Sequence, residues 1–198
     1  MNFTVEMETG TGKTYVYLRT IYELNQNYGF KKFVIVVPSV AIKEGTKKNF
    51  DITKNDFQVL YDKTPIESTE YSSKNISYIR QFSNSNKIEV MIITRDSFNK
   101  DANIMNIPQD KFYGKRPIEL VKKTNPILIL DEPQNMESEI TKEAIANLNP
   151  LFTLRYSATH KNPYNLIYRL SPVDAYEQKL VKKIEVTSIT EDNNQNSA

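Results

Sequence analysis

The sequence predicts an α/β fold in which a mainly parallel central sheet carries helices on both faces. Three apolar runs lead to this expectation: Phe33–Val37, Glu89–Thr94 and Ile127–Leu130. Each is short, rich in β-branched residues and free of the in-and-out alternation of a half-wet strand. Each therefore reads as a strand buried on both sides. Segments with helical spacing separate them, the order from which parallel sheets are built.

In chain order, Asn2–Met7 can form a short first strand. Lys13–Gln26 reads as a helix with Tyr17, Leu18, Ile21 and Leu24 along one side. The Phe33–Val37 strand is closed by Pro38, and Val40–Phe50 reads as a second helix. Asp62–Lys74 is polar and lacks periodicity, which predicts a surface excursion. Ser138–Leu148 reads as a helix between the Ile127–Leu130 strand and a weaker one at Leu151–Tyr156. From residue 188 to 198 the chain is too polar to bury much area. The expectation is one domain over 1–187 followed by a disordered tail or shortened linker.

Composition narrows the chemistry. The 198 residues carry 26 Lys+Arg against 24 Asp+Glu, a net charge of +2, which excludes a strongly basic protein that coats nucleic acid but leaves room for a local basic patch. With no cysteine, disulfides, thiolate metal sites and cysteine nucleophiles are excluded. The one histidine, His160, rules out an all-histidine metal site and is assigned no role. The longest apolar run, Ile127–Leu130, is far too short to span a bilayer, and no signal peptide opens the chain. The expectation is a cytoplasmic protein with no membrane partner.

Glu8-Thr9-Gly10-Thr11-Gly12-Lys13-Thr14 lies between the first strand and the first helix. Gly10 and Gly12 allow successive amides to turn toward a phosphate, and the following helix adds its positive end. Thr9 and Thr11 complete this cradle. Lys13 can reach β- and γ-phosphates, and the Thr14 hydroxyl can ligate Mg²⁺. The strict G-x-x-x-x-G-K-[ST] pattern would have glycine at position 7, where this chain has Met7. The alternative is a glycine-rich turn that only caps a helix; the strand before it and the helix after it favour phosphate binding.

Asp131-Glu132 follows directly on a buried strand, where open α/β sheets bind ligands. Asp131 would hold Mg²⁺, and Glu132 would orient or deprotonate an attacking water. The alternative is a pair of solvated acids at a strand end.

Met7–Thr14, Asp131-Glu132-Pro133-Gln134 and Ser157-Ala158-Thr159 resemble, in that order, motifs I, II and III of superfamily 2 helicases and translocases. The forms of the first two are similar to those of type III restriction enzyme Res subunits in particular. Val36–Ser39 with Ile42–Gly45 resembles motif Ia, Ile93–Phe98 resembles motif Ib, and Asp174–Glu177 with Leu180–Val186 resembles the segment leaving this lobe. The resemblance implies an N-terminal RecA-like P-loop ATPase lobe that uses ATP and Mg²⁺ and acts on double-stranded DNA. A methyltransferase (Mod) subunit would be the partner. It implies that Ser157 and Thr159, joined by Gln134, couple the nucleotide site to lobe movement. Pro38, Ser39, Lys43, Thr94 and Arg95 would lie along the nucleic-acid backbone. For Lys43, with Lys47 and Lys48, the alternative is the solvated face of a helix.

The same resemblance implies a second RecA-like lobe, which supplies arginines toward the γ-phosphate, and a nuclease domain that would make the full-length protein a restriction endonuclease subunit. Neither is recognisable here, so the expectation is a single lobe with weak or no turnover by itself. Two alternatives stay open: a fragment of another superfamily 2 DNA or RNA helicase, and a non-catalytic nucleotide-binding remnant.

Overall fold

The computed structural model describes residues 1–160 and 163–181. Its strands are β1 (Asn2–Met7), β2 (Lys32–Val37), β3 (Ile66–Glu70), β4 (Ile88–Thr94), β5 (Ile127–Asp131), β6 (Thr153–Ser157) and β7 (Leu166–Leu170). They form one sheet in the order β3-β4-β2-β5-β6-β1-β7. Every neighbouring pair is parallel. The helices are α1 (Lys13–Tyr28), α2 (Val40–Leu60), α3 (Tyr78–Asn84), α4 (Pro117–Lys122), α5 (Glu139–Asn147) and α6 (Pro172–Glu177). This is the mixed α/β architecture of a RecA-like P-loop lobe.

The sheet is covered on both faces, which is why its central strands show no polar alternation. Phe33, Ile35, Val37, Val90, Ile92, Ile127 and Ile129 pack with Tyr17, Leu18, Ile21 and Tyr22 of α1 and with Phe50 and Phe57 of α2. The intervening residues Val34, Val36, Met91, Ile93, Leu128 and Leu130 pack on the other side with Ile79 and Phe82 of α3, Ile118 and Val121 of α4, and Leu148. The register is set by this two-sided burial, since a slip of one residue would exchange the two packing sets.

Two expectations need correction. Asp62–Lys74 contains β3, which pairs only with β4 and forms one edge of the sheet. Its Ile-Glu-Ser-Thr-Glu sequence has one apolar residue because an edge strand keeps polar groups toward water. Helix α2 runs ten residues past Phe50, to Leu60. The extension is held by Phe57, whose ring lies 4.8 Å from Tyr15 and 5.3 Å from Tyr22. Replacing Phe57 with alanine is expected to cost about 3–5 kcal/mol, read as a lower urea midpoint with unchanged slope. A cost below about 1 kcal/mol would mean that the second half of α2 is not docked.

Helices α3, α4 and α6 and strand β7 add to the elements expected from the sequence; α6 is started by Ser171, whose side chain and Asp174 form a reciprocal capping box. The expected tail 188–198, and Lys182–Val186 of the departing segment, lie outside the described residues. Among the described residues, no helix is long and apolar enough to cross a membrane.

Candidate nucleotide-binding site

Because all strands run the same way, their C-terminal ends share one edge. That geometry alone gathers segments far apart in sequence: the glycine turn after β1, Pro38-Ser39 after β2, Arg95 after β4, the acidic pair at the end of β5 and Ser157–Thr159 at the end of β6. A cavity of about 470 Å³ opens here, lined by Thr9, Gly10, Gly12, Lys13, Thr14, Asp131 and Glu132, with Tyr15, Leu18 and residues of α2 as one wall.

The turn begins where β1 stops. Met7 is 5% exposed and belongs to the core, which explains why a side chain stands where the strict motif has glycine. Thr11 folds the turn back on itself, with its amide and hydroxyl both donating to the Glu8 carbonyl, at 3.3 and 2.6 Å. Gly10 and Gly12 adopt φ of 82° and 90°, a region that costs other residues about 1–2 kcal/mol. No atom lies within 4 Å of where a Cβ would stand on either glycine, so the cradle is open. No side chain caps α1, and the first-turn amides of a helix have no acceptor within it. This is a cradle shaped for an anion.

Lys13 Nζ sits 2.8 Å from Glu132 Oε1 and 3.5 Å from the Met7 carbonyl, with its side chain only 11% exposed. The other carboxylate oxygen of Glu132 accepts from Gln134 Nε2 at 2.7 Å and from the Ser157 hydroxyl at 2.8 Å. Burial raises the Glu132 carboxyl, but these donors outweigh it and hold its pKa below the usual carboxylate range. Glu132 also has φ of 53°, a left-handed conformation that is uncommon for a residue with a Cβ and aims its side chain at Lys13.

Asp131 has the opposite electrostatics. Burial, and then the neighbouring charge of Glu132, push its carboxyl up to about 6, with Lys13 offsetting part of the shift. Its Oδ2 accepts a hydrogen bond from the Tyr17 hydroxyl at 3.4 Å. Burial, and then Asp131, raise the Tyr17 phenol, which stays protonated and able to donate. Sequence reasoning placed Tyr17 only among the apolar positions of α1. Its position one turn after Lys13, facing the strand that carries Asp131, is the signal that it carries a polar tip to the site.

Thr14 and Asp131 offer one hydroxyl and one carboxylate, the small oxygen set with which proteins hold Mg²⁺ together with substrate phosphates and water. Among the described residues, no group of three or more His, Asp or Glu could hold a metal by itself. The residues present therefore fit a metal that arrives with phosphate.

Gln134 and Ser157 converge on Glu132. Thr159 does not touch the acids; its amide donates to Ser157 Oγ at 3.3 Å, and its carbonyl is 2.9 Å from that oxygen. The expected nucleic-acid residues share the same edge but not one surface. Pro38 leads into Ser39, which caps α2 by accepting from the Ile42 amide at 3.4 Å. Lys43 and Thr94 line a separate groove with Tyr71, Ser72 and Ser97. Lys43 donates to the Tyr71 carbonyl at 3.2 Å and lies 3.9 Å from Glu70, so its charge is partly committed within the protein. Thr94 shares a 2.8 Å hydrogen bond with Ser97. Arg95 donates to the Asn135 carbonyl in the turn after Glu132 and lies 3.3 Å from Asp96.

Comparison of the chain with known proteins gives its family. The chain is 37% identical over 203 residues to the Type III restriction-modification enzyme EcoP15I Res subunit of Escherichia coli, covering 91% of this chain and 21% of that protein. It is 35% identical over 201 residues to the EcoPI Res subunit of Escherichia phage P1, with the same coverage of 91% and 21%. The chain thus spans about a fifth of the length of the curated relatives it matches. A solved structure of a nuclease-deletion mutant of the Type ISP restriction-modification enzyme LlaGI, in complex with a DNA substrate mimic, shares the fold. Its TM-score is 0.58 at 15% identity, over 90% of this chain and 18% of that one. The family model described as "Type III restriction enzyme, res subunit" matches residues 1–162, and the chain belongs to that family.

Proposed function

We propose that this chain is the ATP-binding lobe of a DNA-dependent motor, bounded at residues 1–187 with 188–198 as a polar extension. The observation that supports the reading best is one cavity holding an open glycine cradle, a partly buried lysine and two carboxylates of opposite electrostatic character. Thr9 to Thr14 would bind the phosphates through backbone amides. Lys13 would exchange its contact with Glu132 for the β- and γ-phosphates. Thr14 and Asp131 would hold Mg²⁺, which offsets charge on the phosphates. Glu132, released from Lys13 but still held by Gln134 and Ser157, would orient the attacking water and accept its proton.

Hydrolysis at a useful rate would need a second RecA-like lobe, since an arginine finger is worth ~10³–10⁵ in rate. Family membership and the DNA ligand named for the LlaGI structure support double-stranded DNA as the track, met through Pro38, Ser39, Lys43, Thr94 and Arg95. The same membership supports a cytoplasmic complex with a methyltransferase subunit. No residue of this chain is assigned to DNA cleavage.

Titration with a fluorescent ATP analogue tests the reading. Saturable binding that requires Mg²⁺ and is displaced by unlabelled ATP is the expected outcome. No binding by a folded chain would favour a non-catalytic remnant.

A further inference from the structure

A buried polar cluster behind the acidic pair meets the chemistry above only at Ser157. Val5 and Met7 of β1 and Leu154 and Tyr156 of β6 pack with α1. Strand periodicity therefore puts Glu6, Arg155 and Ser157 on the opposite face. There the side chain of His160 is 2% exposed, with Nδ1 3.6 Å from Glu6 Oε1. The other oxygen of Glu6 is held by Arg169 of β7. Arg155 pairs with Glu137 and lies 5.0 Å from the centre of the Tyr164 ring. Glu6, Arg155, Glu132 and Glu137 all act electrostatically on the imidazole.

Neither ring nitrogen of His160 has a hydrogen-bond partner among the described residues. A buried polar atom without a partner is destabilising. At 3.6 Å, Nδ1 lies just beyond hydrogen-bond range of Glu6. The ring is thus a small step short of a favourable contact, and it ends a four-residue strap that begins at Ser157.

At the other end of the strap, one proton faces three acceptors. The Ser157 hydroxyl is 2.8 Å from Glu132 Oε2, 2.8 Å from Gln134 Oε1 and 2.9 Å from the Thr159 carbonyl. A hydroxyl donates once, so the Thr159 carbonyl and Gln134 Oε1 both compete with Glu132 for that hydrogen bond. That carbonyl belongs to the peptide joining Thr159 to His160.

We infer that His160 is a positioning residue: the seat of its ring between Glu6 and Arg155 sets how strongly Thr159 competes with Glu132 for the Ser157 proton. The functional meaning rests on Glu132 as the water-orienting carboxylate; the structural link does not. Any change in the partner of Glu132, such as Lys13 turning to phosphate, travels through Ser157 and the strap to the imidazole. His160 does not line the nucleotide cavity, so a bound nucleotide would not touch the ring; the charge of Glu132 reaches it through space as well as through the strap, and removing the Ser157 hydroxyl separates the two routes.

The chain has one histidine, so every imidazole signal from ¹⁵N-histidine-labelled protein reports on His160. Burial and then Arg155 lower its pKa, so at pH 8 the ring is neutral throughout. Its Nδ1 and Nε2 resonances are expected to shift when Mg²⁺ and a non-hydrolysable ATP analogue are added, with the half-saturation seen by fluorescence. A shift is also expected without nucleotide in Lys13→Ala, where Glu132 loses its cation, with Lys13→Met as a second variant that keeps the side-chain stem. Adding Ser157→Ala to Lys13→Ala is expected to abolish the Lys13-dependent shift. Resonances unmoved by both nucleotide and the Lys13 variants would overturn the inference, as would a Lys13-dependent shift that survives Ser157→Ala. A shift in Lys13→Ala from a chain that binds no nucleotide would leave His160 as a positioning residue while the ATP reading fails.

Discussion

Lys13→Ala is expected to weaken binding of the ATP analogue by about 10²-fold. A hydrogen bond to a charged group contributes ~1.5–3 kcal/mol, and the upper end of that range corresponds to this factor. In the nucleotide-free chain the Lys13 ammonium is held 2.8 Å from Glu132, so the substitution also strips Glu132 of its cation. The Glu132 carboxyl is then expected to titrate closer to the ordinary range, because Lys13 is the foremost of the groups lowering it. Lys13→Met retains the apolar stem and separates loss of charge from loss of packing. Equal affinity in wild type and both variants would show that the cavity does not hold phosphate through Lys13, leaving the ion pair with Glu132 as a structural contact.

Asp131→Asn is expected to stabilise the nucleotide-free chain at pH 8 by about 2–3 kcal/mol while removing the Mg²⁺ dependence of binding. The folded state holds the Asp131 proton up to about 6, against the ordinary 3.8 of an aspartate side chain in water. Between those values the folded chain binds more protons than the unfolded one, so wild-type stability falls as pH rises through that window and stays lower above it. Asparagine carries no charge, fills the same space and still offers an oxygen to the Tyr17 hydroxyl. The melting temperature of the variant should therefore exceed that of wild type by roughly 5–10 °C at pH 8, and the two should converge below about pH 4. A variant less stable than wild type at pH 8 would sink this account. The stability lost to a buried charge is consistent with a carboxylate retained for a cation.

The parts of the fold that could be read in advance are those that burial writes into composition. Strands β2, β4 and β5 are covered on both faces and so are apolar along their central residues, Phe33–Val37, Val90–Ile93 and Ile127–Leu130. Strand β3 was hidden because one neighbour and a wet edge place few demands on its side chains. The far half of α2 was hidden because it is docked mainly by Phe57, with polar residues around it. In the site, Lys13, Thr14, Asp131 and Glu132 could be named from residue type and context. Tyr17 could not, because on a helix the same ring serves as core and as hydrogen-bond donor. His160 could not, because a lone histidine has no spacing to interpret.

The sequence by itself determined the class of fold, the place of the glycine turn and that of the two acids, since each is local: a run of apolar residues, a pair of glycines before a lysine, two carboxylates after a strand. Only the tertiary structure decided that those acids differ, with Asp131 pushed up by burial and Glu132 held down by donors from three separate segments. It also decided that Ser157 has one proton for three acceptors and that His160 lies buried beside Glu6, far from it in the chain. The physical reason is that charge and hydrogen bonding depend on distance and on the exclusion of water. Parallel strands sharing one edge set both, and no stretch of the chain contains them alone.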